Sequence, residues 1–395
     1  MRQNEMSVNE TGAMTRRHLF QRVGVAALAT AVAPRLALGE TSKPAAKIKR
    51  GVSLYSYQEE FYTRAMTLED CLAEASTIGA YGIEMLPEQM IPGFPNVTDQ
   101  WVDQWLAMNE RHRTIPVTYT QFQDTYLTPG HDLTVDEGVE MMARDLKLAK
   151  RLGFRNLRLL IGTPLDVIDK SIPLAEKYDL RMNVEIHAPC PIDGPLVHRW
   201  VEIIQKHKTT HFGLNPDMGL FLEREELIDR DRRIRDGQLR PSVAELIDNA
   251  HGDRLPEERA AVEVKKMNGT PGELSYLHAV YMPGGQDVEK LRELVPYSHH
   301  IHAKFYHMTE DYVEYGIPYD QIVKVLMEGG YEGYMASEWE GQRITQDAFD
   351  TDSCEQVRRQ HLMLKRLRAK RSSSQKTIIY QLKLPGMPLN GPTMS

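Results

Sequence analysis

A chain of 395 residues, 41% of them hydrophobic, can bury a full core as one large or two ordinary domains. Its net charge of -7 comes from acids and bases mixed along the whole length, so there is no basic tract to recommend nucleic acid as a partner. The three cysteines, Cys71, Cys190 and Cys354, are odd in number and far apart, which excludes a disulfide framework or a zinc-type spacing.

Residues 1–39 read as an export signal of twin-arginine type and not as fold. Arg16 and Arg17 stand side by side, an apolar run follows from Val23 to Ala33, and Ala37-Leu38-Gly39 places small residues where a signal peptidase reads. The expected location is periplasmic or extracellular. The run is too short to span a bilayer, and no other apolar run approaches membrane length, so no stable span is expected once the signal is removed.

From Lys47 to about Gln360, short apolar runs alternate with amphipathic ones, as in a β/α repeat. The first strand is Gly51 to Tyr57. A helix from Thr67 to Ile78 follows, capped by Thr67 and stopped by Gly79. Tyr81 to Leu86 and Ile115 to Thr120 are the second and third strands, with a helix from Thr98 to Arg111 between them. Thr134 and Glu137 form a capping box for a helix running to Leu152. Strand four, Asn156 to Ile161, is nearly all apolar, as suits a strand covered on both faces. A helix from Ile168 to Tyr178 leads to strand five, Asn183-Val184-Glu185-Ile186-His187. His198 to Lys206 is helical, and strands six to eight are His211–Asp217, Ser298–Phe305 and Gly333–Trp339, with a helix over Gln321–Met327. Eight such units over about 310 residues match a decorated TIM (β/α)8 barrel, placed at residues 48–370.

One connection breaks the rhythm. Residues 223–285 form a charged, Gly/Pro-punctuated insertion after strand six, with helical pieces at Val243–Asn249 and Pro256–Lys266. Its place on the active-site face suggests a lid or a partner contact. A basic amphipathic helix runs from Gln356 to Lys370, and residues 371–395 read as a polar tail.

In a strand, alternate side chains share a face, so Asn183, Glu185 and His187 point together into the barrel. A bare carboxylate there is costly unless paired or bound to a metal. Strands six, seven and eight repeat the pattern with Asp217, His302 and Glu338 near their ends. Glu185, Asp217, His302 and Glu338 therefore form the expected metal site. Three carboxylates and an imidazole suit Mn²⁺ first, with Mg²⁺ or Co²⁺ as alternatives. Two open octahedral positions would chelate adjacent oxygens of a sugar. His187 lies beyond Glu185 toward the mouth, where it serves as general base or acid, or orients a ligand. Lys304 either reaches an oxyanion or pairs with a ligand carboxylate. His300 sits one layer deeper, as a hydrogen-bonded core histidine. Glu84 and Glu88 on strand two, with Tyr55, Tyr57 and Gln58 after strand one, are candidate sugar contacts.

These four ligand stretches resemble the xylose isomerase-like TIM-barrel superfamily of sugar isomerases and epimerases. Within it the chain looks most like the alpha subunit of the C-glycoside deglycosidases. The resemblance is carried by Gly51-Val52-Ser53-Leu54-Tyr55-Ser56-Tyr57-Gln58-Glu59-Glu60, Met66-Thr67-Leu68-Glu69-Asp70-Cys71-Leu72, Pro87-Glu88-Gln89-Met90-Ile91-Pro92-Gly93-Phe94-Pro95 and Val184-Glu185-Ile186-His187. It implies a divalent metal on Glu185, Asp217, His302 and Glu338, and a small β-rich second subunit over the barrel mouth. It also implies a carbon–carbon lyase acting on a 3-oxo C-glycoside, with catalysis by His187 and the ligand carboxylates Glu185 and Glu338. A sugar isomerase or epimerase is the alternative reading, and an exported, non-catalytic sugar-binding protein the second. One departure stands out. Sugar epimerases of this group place a substrate-binding histidine three residues after the metal-binding aspartate, and here that residue is Leu220.

Overall fold

The computed structural model describes residues 47–123, 130–282, 284–341 and 352–381. The export signal expected at residues 1–39 lies outside them, as do residues 382–395 of the expected tail. Eight parallel strands make one sheet: β1 Lys49–Ser53, β2 Gly82–Met85, β3 Ile115–Gln121, β4 Asn156–Leu159, β5 Arg181–Ile186, β6 Phe212–Pro216, β7 His300–Phe305 and β8 Tyr334–Trp339. Their order is β6-β5-β4-β3-β2-β1-β8-β7. The two edges meet through parallel bridges from Leu214 to Ser298 and from Asp217 to His302, which brings the sheet round into a nearly closed barrel. One expected metal ligand, Asp217, thus sits on the seam beside another.

The intervening helices wrap the outside for the reasons the sequence gives. Thr67 with Asp70 and Thr134 with Glu137 form reciprocal capping boxes at the starts of helices Leu68–Thr77 and Val135–Arg151. Losing such a cap costs about 1 kcal/mol. The apolar faces of these helices, including Leu72, Met142 and Leu146, join the outward residues of the strands in one core. The inside of the barrel is polar instead: Thr118, Thr120, Glu84, Asn183, Glu185, Asn215, His300 and His302 are all buried. At its floor a Cβ on Gly82 would collide with the Tyr334 ring, so that ring closes the floor against a glycine.

Three elements differ from expectation. β1 stops at Ser53, because Leu54–Tyr57 curls into a 3₁₀ turn followed by a short helix, Gln58–Tyr62. The insertion is a folded unit and not a charged loop. Helices Leu227–Arg235, Pro241–Gly252, Glu257–Lys266 and Pro271–Tyr281 enclose their own apolar core of Val243, Ile247, Val264, Tyr276, Leu277 and Val280. Dense surface charge on these helices masked the buried stripe. The unit's two ends are stitched together, Gly285 N donating to Leu222 O at 3.0 Å. Finally, the last helix, Ser353–Gln381, runs eleven residues past Lys370 into the expected tail. No proline or glycine interrupts the sequence before Pro385, so nothing there stops it.

That last helix locks the barrel. Gln360 Nε2 donates to Ala303 O of β7 at 2.8 Å, and Ser337 of β8 meets both the Gln360 amide and His361 Nε2, the latter at 2.9 Å. Ser56, just beyond β1, bonds the backbone of Ser337 and Trp339 at 3.1 and 2.9 Å. Among the described residues no helix is long and apolar enough to cross a membrane.

Candidate metal centre

The strand ends bring Glu185, Asp217, His302 and Glu338 together. One donor atom from each lies within 4.8 Å of the others, and all four residues are buried. His302 Nδ1 is 2.7 Å from Glu185 Oε1 and 3.1 Å from Glu338 Oε2. Lys304 Nζ stands 2.9 Å from Asp217 Oδ2, 3.2 Å from Glu340 Oε1 and 3.6 Å from Glu338 Oε2. Arg158 of β4 pairs with Glu185 Oε2.

The charges here are set by burial against neighbours. Burial opposes ionisation of Glu185, but Arg158 and His302 outweigh it and hold the carboxyl well below the usual range. Glu338 likewise overcomes burial, through His302 and Lys304, and falls to about 2. Asp217 does not: burial pushes it up to about 7 against the pull of Lys304, with Glu338 and Glu185 adding to the push. Burial disfavours charge on His302 and Lys304 as well, yet the surrounding carboxylates hold both well above their ordinary values.

These residues fit a divalent cation. Asp217 Oδ2 and Glu338 Oε2 are buried and accept no hydrogen bond of good geometry, although Lys304 lies close to both. A single proton on His302 Nδ1 cannot serve two carboxylates well, whereas one cation between the four donors satisfies them all.

Above the cluster lies a cavity of about 390 Å³ whose walls include Tyr55, Gln89, Phe122, Arg158, Leu160, His187, Tyr306 and Glu340. A larger one, about 940 Å³, opens at the opposite end of the barrel, between Lys49, Arg155, Arg181 and Tyr334. The chemistry decides between them, because only the smaller holds the converging donors. His187 stands at its rim, with Nδ1 2.6 Å from Ala188 O. A carbonyl can only accept, so Nδ1 carries the proton and Nε2 of the neutral ring carries the lone pair.

Of the expected sugar contacts, Tyr55 and Lys304 reach this cavity and four others do not. Tyr57 is fully buried and faces the outer helices, near Cys71, Glu74, Cys354 and Arg358, because the 3₁₀ turn rotates it away. Gln58 begins the short helix outside the cavity wall. Glu88 turns toward Arg144 and Tyr119, and its neighbour Gln89 lines the cavity. Glu84 lies beneath the cluster, where it accepts from His300 Nε2 at 2.9 Å and from His302 Nε2 at 2.8 Å. Arg158 escaped sequence reasoning. The signal was there, since Asn156 and Arg158 alternate with leucines, and a buried arginine needs a carboxylate partner.

The fold and this site define a xylose isomerase-like TIM barrel. That family's pattern matches residues 72–366, and the chain belongs to it. Among relatives, it is 29% identical over 341 residues to the 3'-dehydrocarminate deglycosidase alpha subunit of a Microbacterium species, covering 80% of this chain and 94% of that one. It is 26% identical over 342 residues to a C-glycoside deglycosidase alpha subunit of Arthrobacter globiformis, covering 81% and 92%. A solved L-ribulose 3-epimerase superposes with a TM-score of 0.51 at 11% identity, over 86% of this chain and 100% of the other, which speaks to the fold alone.

Proposed function

We propose that this protein cleaves 3-oxo C-glycosides, releasing the aglycone by carbon–carbon bond elimination. The observation that carries the reading is the His187 tautomer, which turns a free imidazole lone pair toward a cavity floored by four metal-type donors. The names of the relatives support the substrate class, one of them specifying a sugar already oxidised at its 3' position.

Glu185, Asp217, His302 and Glu338 would hold the divalent ion, with Mn²⁺ our choice for so oxygen-rich a donor set. When bound, such an ion supplies Lewis-acid polarisation of the sugar ketone and its neighbouring oxygen. His187 Nε2 takes the proton from the sugar carbon between the ketone and the glycosidic carbon. The electron pair left behind becomes a double bond to the glycosidic carbon as its bond to the aglycone breaks. The aglycone carbon leaves with that bond's electrons and takes up a proton, giving free aglycone and an unsaturated anhydro-keto sugar. Tyr55, Gln89 and Tyr306 line the walls that position the sugar. Arg158 keeps Glu185 ionised and Lys304 helps keep Glu338 so, which metal binding requires, while Lys304 only opposes the upward push on Asp217.

The relatives are named as alpha subunits, which supports a second subunit for this chain too. A small β-rich partner over the mouth would keep water from quenching the carbanionic intermediate. The test is to assay the Mn²⁺-loaded chain, with and without a candidate small subunit, on a panel of 3-oxo C- and O-glucosides. Aglycone release that rises with the partner is expected. Epimerised or isomerised sugar without aglycone release would make the protein an isomerase instead, and no turnover with retained sugar affinity would make it a binding protein.

A further inference from the structure

Glu84 was expected to meet substrate, yet it is 1% exposed and lies on the far side of His302 from the cavity. Its position is set by a slip in the β2–β3 ladder, where Ile83 pairs with Pro116 but Glu84 with Thr118, skipping Val117. Such a bulge re-aims the side chains beside it. Here it leaves the Glu84 carboxylate under β7 and next to Thr120.

Every group around that carboxylate is able to donate. Thr120 Oγ1 donates to Oε1 at 3.1 Å, His300 Nε2 to Oε2 at 2.9 Å, and His302 Nε2 lies 3.0 Å from Oε1 and 2.8 Å from Oε2. A carboxylate accepts and does not donate, so His302 carries its proton on Nε2. When the ring is neutral, as a metal ligand must be, that proton on Nε2 leaves Nδ1 with the lone pair. That lone pair faces Glu185 and Glu338, at 2.7 and 3.1 Å. Two carboxylates against Nδ1 call for positive charge there, a proton when the ring is charged or a metal ion when it is neutral.

We propose that Glu84 is a positioning residue that fixes the tautomer and ring angle of His302, so that Nδ1 is presented as a metal ligand. The inference rests on the metal reading above. It also separates two roles for neighbouring histidines on one strand, His302 as ligand and His300 as the second donor that keeps Glu84 in place. The rival arrangement is a second ion held by Glu84, His300 and His302, whose donor atoms also converge within 4.8 Å. Hydrogen bonding accounts for that cluster better. The Thr120 hydroxyl and both imidazoles already engage both oxygens of the carboxylate, at ordinary hydrogen-bond distances.

The experiment is a Mn²⁺ titration of the full chain, reading free aquo-Mn²⁺ by electron paramagnetic resonance, for wild type, Glu84→Gln and Glu84→Asp. Gln keeps the shape but offers one acceptor oxygen in place of two, and Asp withdraws the carboxylate by one methylene. Both variants should bind one Mn²⁺ about 10- to 100-fold more weakly, the usual cost of losing a partner behind a ligating histidine. The Co²⁺ absorption spectrum should shift, while the metal-free melting temperature of Glu84→Gln stays near wild type. A purely structural role would lower that melting temperature and leave the Mn²⁺ affinity alone, and wild-type affinity in both folded variants overturns the proposal. Two ions in the wild type with one lost in the variants also overturns it, because Glu84 is then itself a ligand. A wild type that binds no ion defeats the metal reading first, and this inference with it.

Discussion

Among the described residues, buried acids face one another in two places, and the two differ in what surrounds them. At the ends of β5, β6 and β8, three carboxylates share a pocket with Arg158, His302 and Lys304. At the root of the insertion, Glu226 and Glu314 face each other, and among the described residues neither has an ion pair. Glu314 Oε2 accepts backbone N–H groups from Gly316, at 2.8 Å, and from Ile317, while Glu314 Oε1 and both oxygens of Glu226 are buried without an ordinary donor. Burial pushes Glu226 well up, and the carboxyl of Glu314 pushes it further; burial likewise carries Glu314 to about 7. Such a pair keeps a proton between its members. Burial of acids alone therefore does not mark a cation site. Convergence of four donors, with nitrogen among them, does.

The sharpest way to break this contrast is at the first cluster. Glu185→Gln, Asp217→Asn, His302→Ala or Glu338→Gln should each empty the chain of divalent metal by elemental analysis and nearly abolish aglycone release, with the fold intact by circular dichroism. Full occupancy in all four would place the cation elsewhere. Next in size is His187→Ala, which should keep its metal while kcat falls on the order of 10²–10⁴-fold, the scale of a lost general base. Undiminished turnover would reduce His187 to packing at the rim.

The smallest effect belongs to the second cluster and concerns stability. Glutamate ordinarily titrates near 4.5, whereas folded Glu314 holds its proton to about 7 and Glu226 holds its own well above the ordinary value. The folded state therefore binds these protons more tightly than the unfolded one. Their contribution is complete below about pH 4.5 and drains away as pH rises through 7. Melting temperature should fall over that window. Glu226→Gln, which stays neutral and offers an amide to Glu314, should flatten the profile. Identical slopes for wild type and variant would show that the pair does not share a proton.

Much of the barrel is legible in the sequence because strand periodicity and caps act locally. Thr67, Thr134 and their acidic partners mark helix starts within a residue, and Glu185, Asp217, His302 and Glu338 announce themselves as polar residues on inward faces. What escaped depends on contacts between distant segments. The turn that hides Tyr57 is fixed by Ser56 bonding to residues more than 280 positions away. Glu88 and Gln89 are adjacent in a short helix and point about 100° apart, so the helix's setting against the barrel decides which one meets the cavity. The insertion failed to read as a domain because its apolar stripe is thin. Its first helix carries six arginines and aspartates against one buried isoleucine, Ile228, and only the assembled four helices make a core.

The lock formed by Gln360 and His361 has a consequence for the order of events during synthesis. β1 pairs with β8 across nearly the whole domain, and the β7–β8 pair is pinned only by a helix that begins at Ser353. A growing chain can form successive β/α units as they emerge, but the ring cannot be pinned until the helix carrying Gln360 and His361 is free of the ribosome. Contacts so distant in sequence are slow to form, since loop closure must precede any reward from pairing. Until then the inward carboxylates stay open to water, and the pocket that gathers them is assembled last.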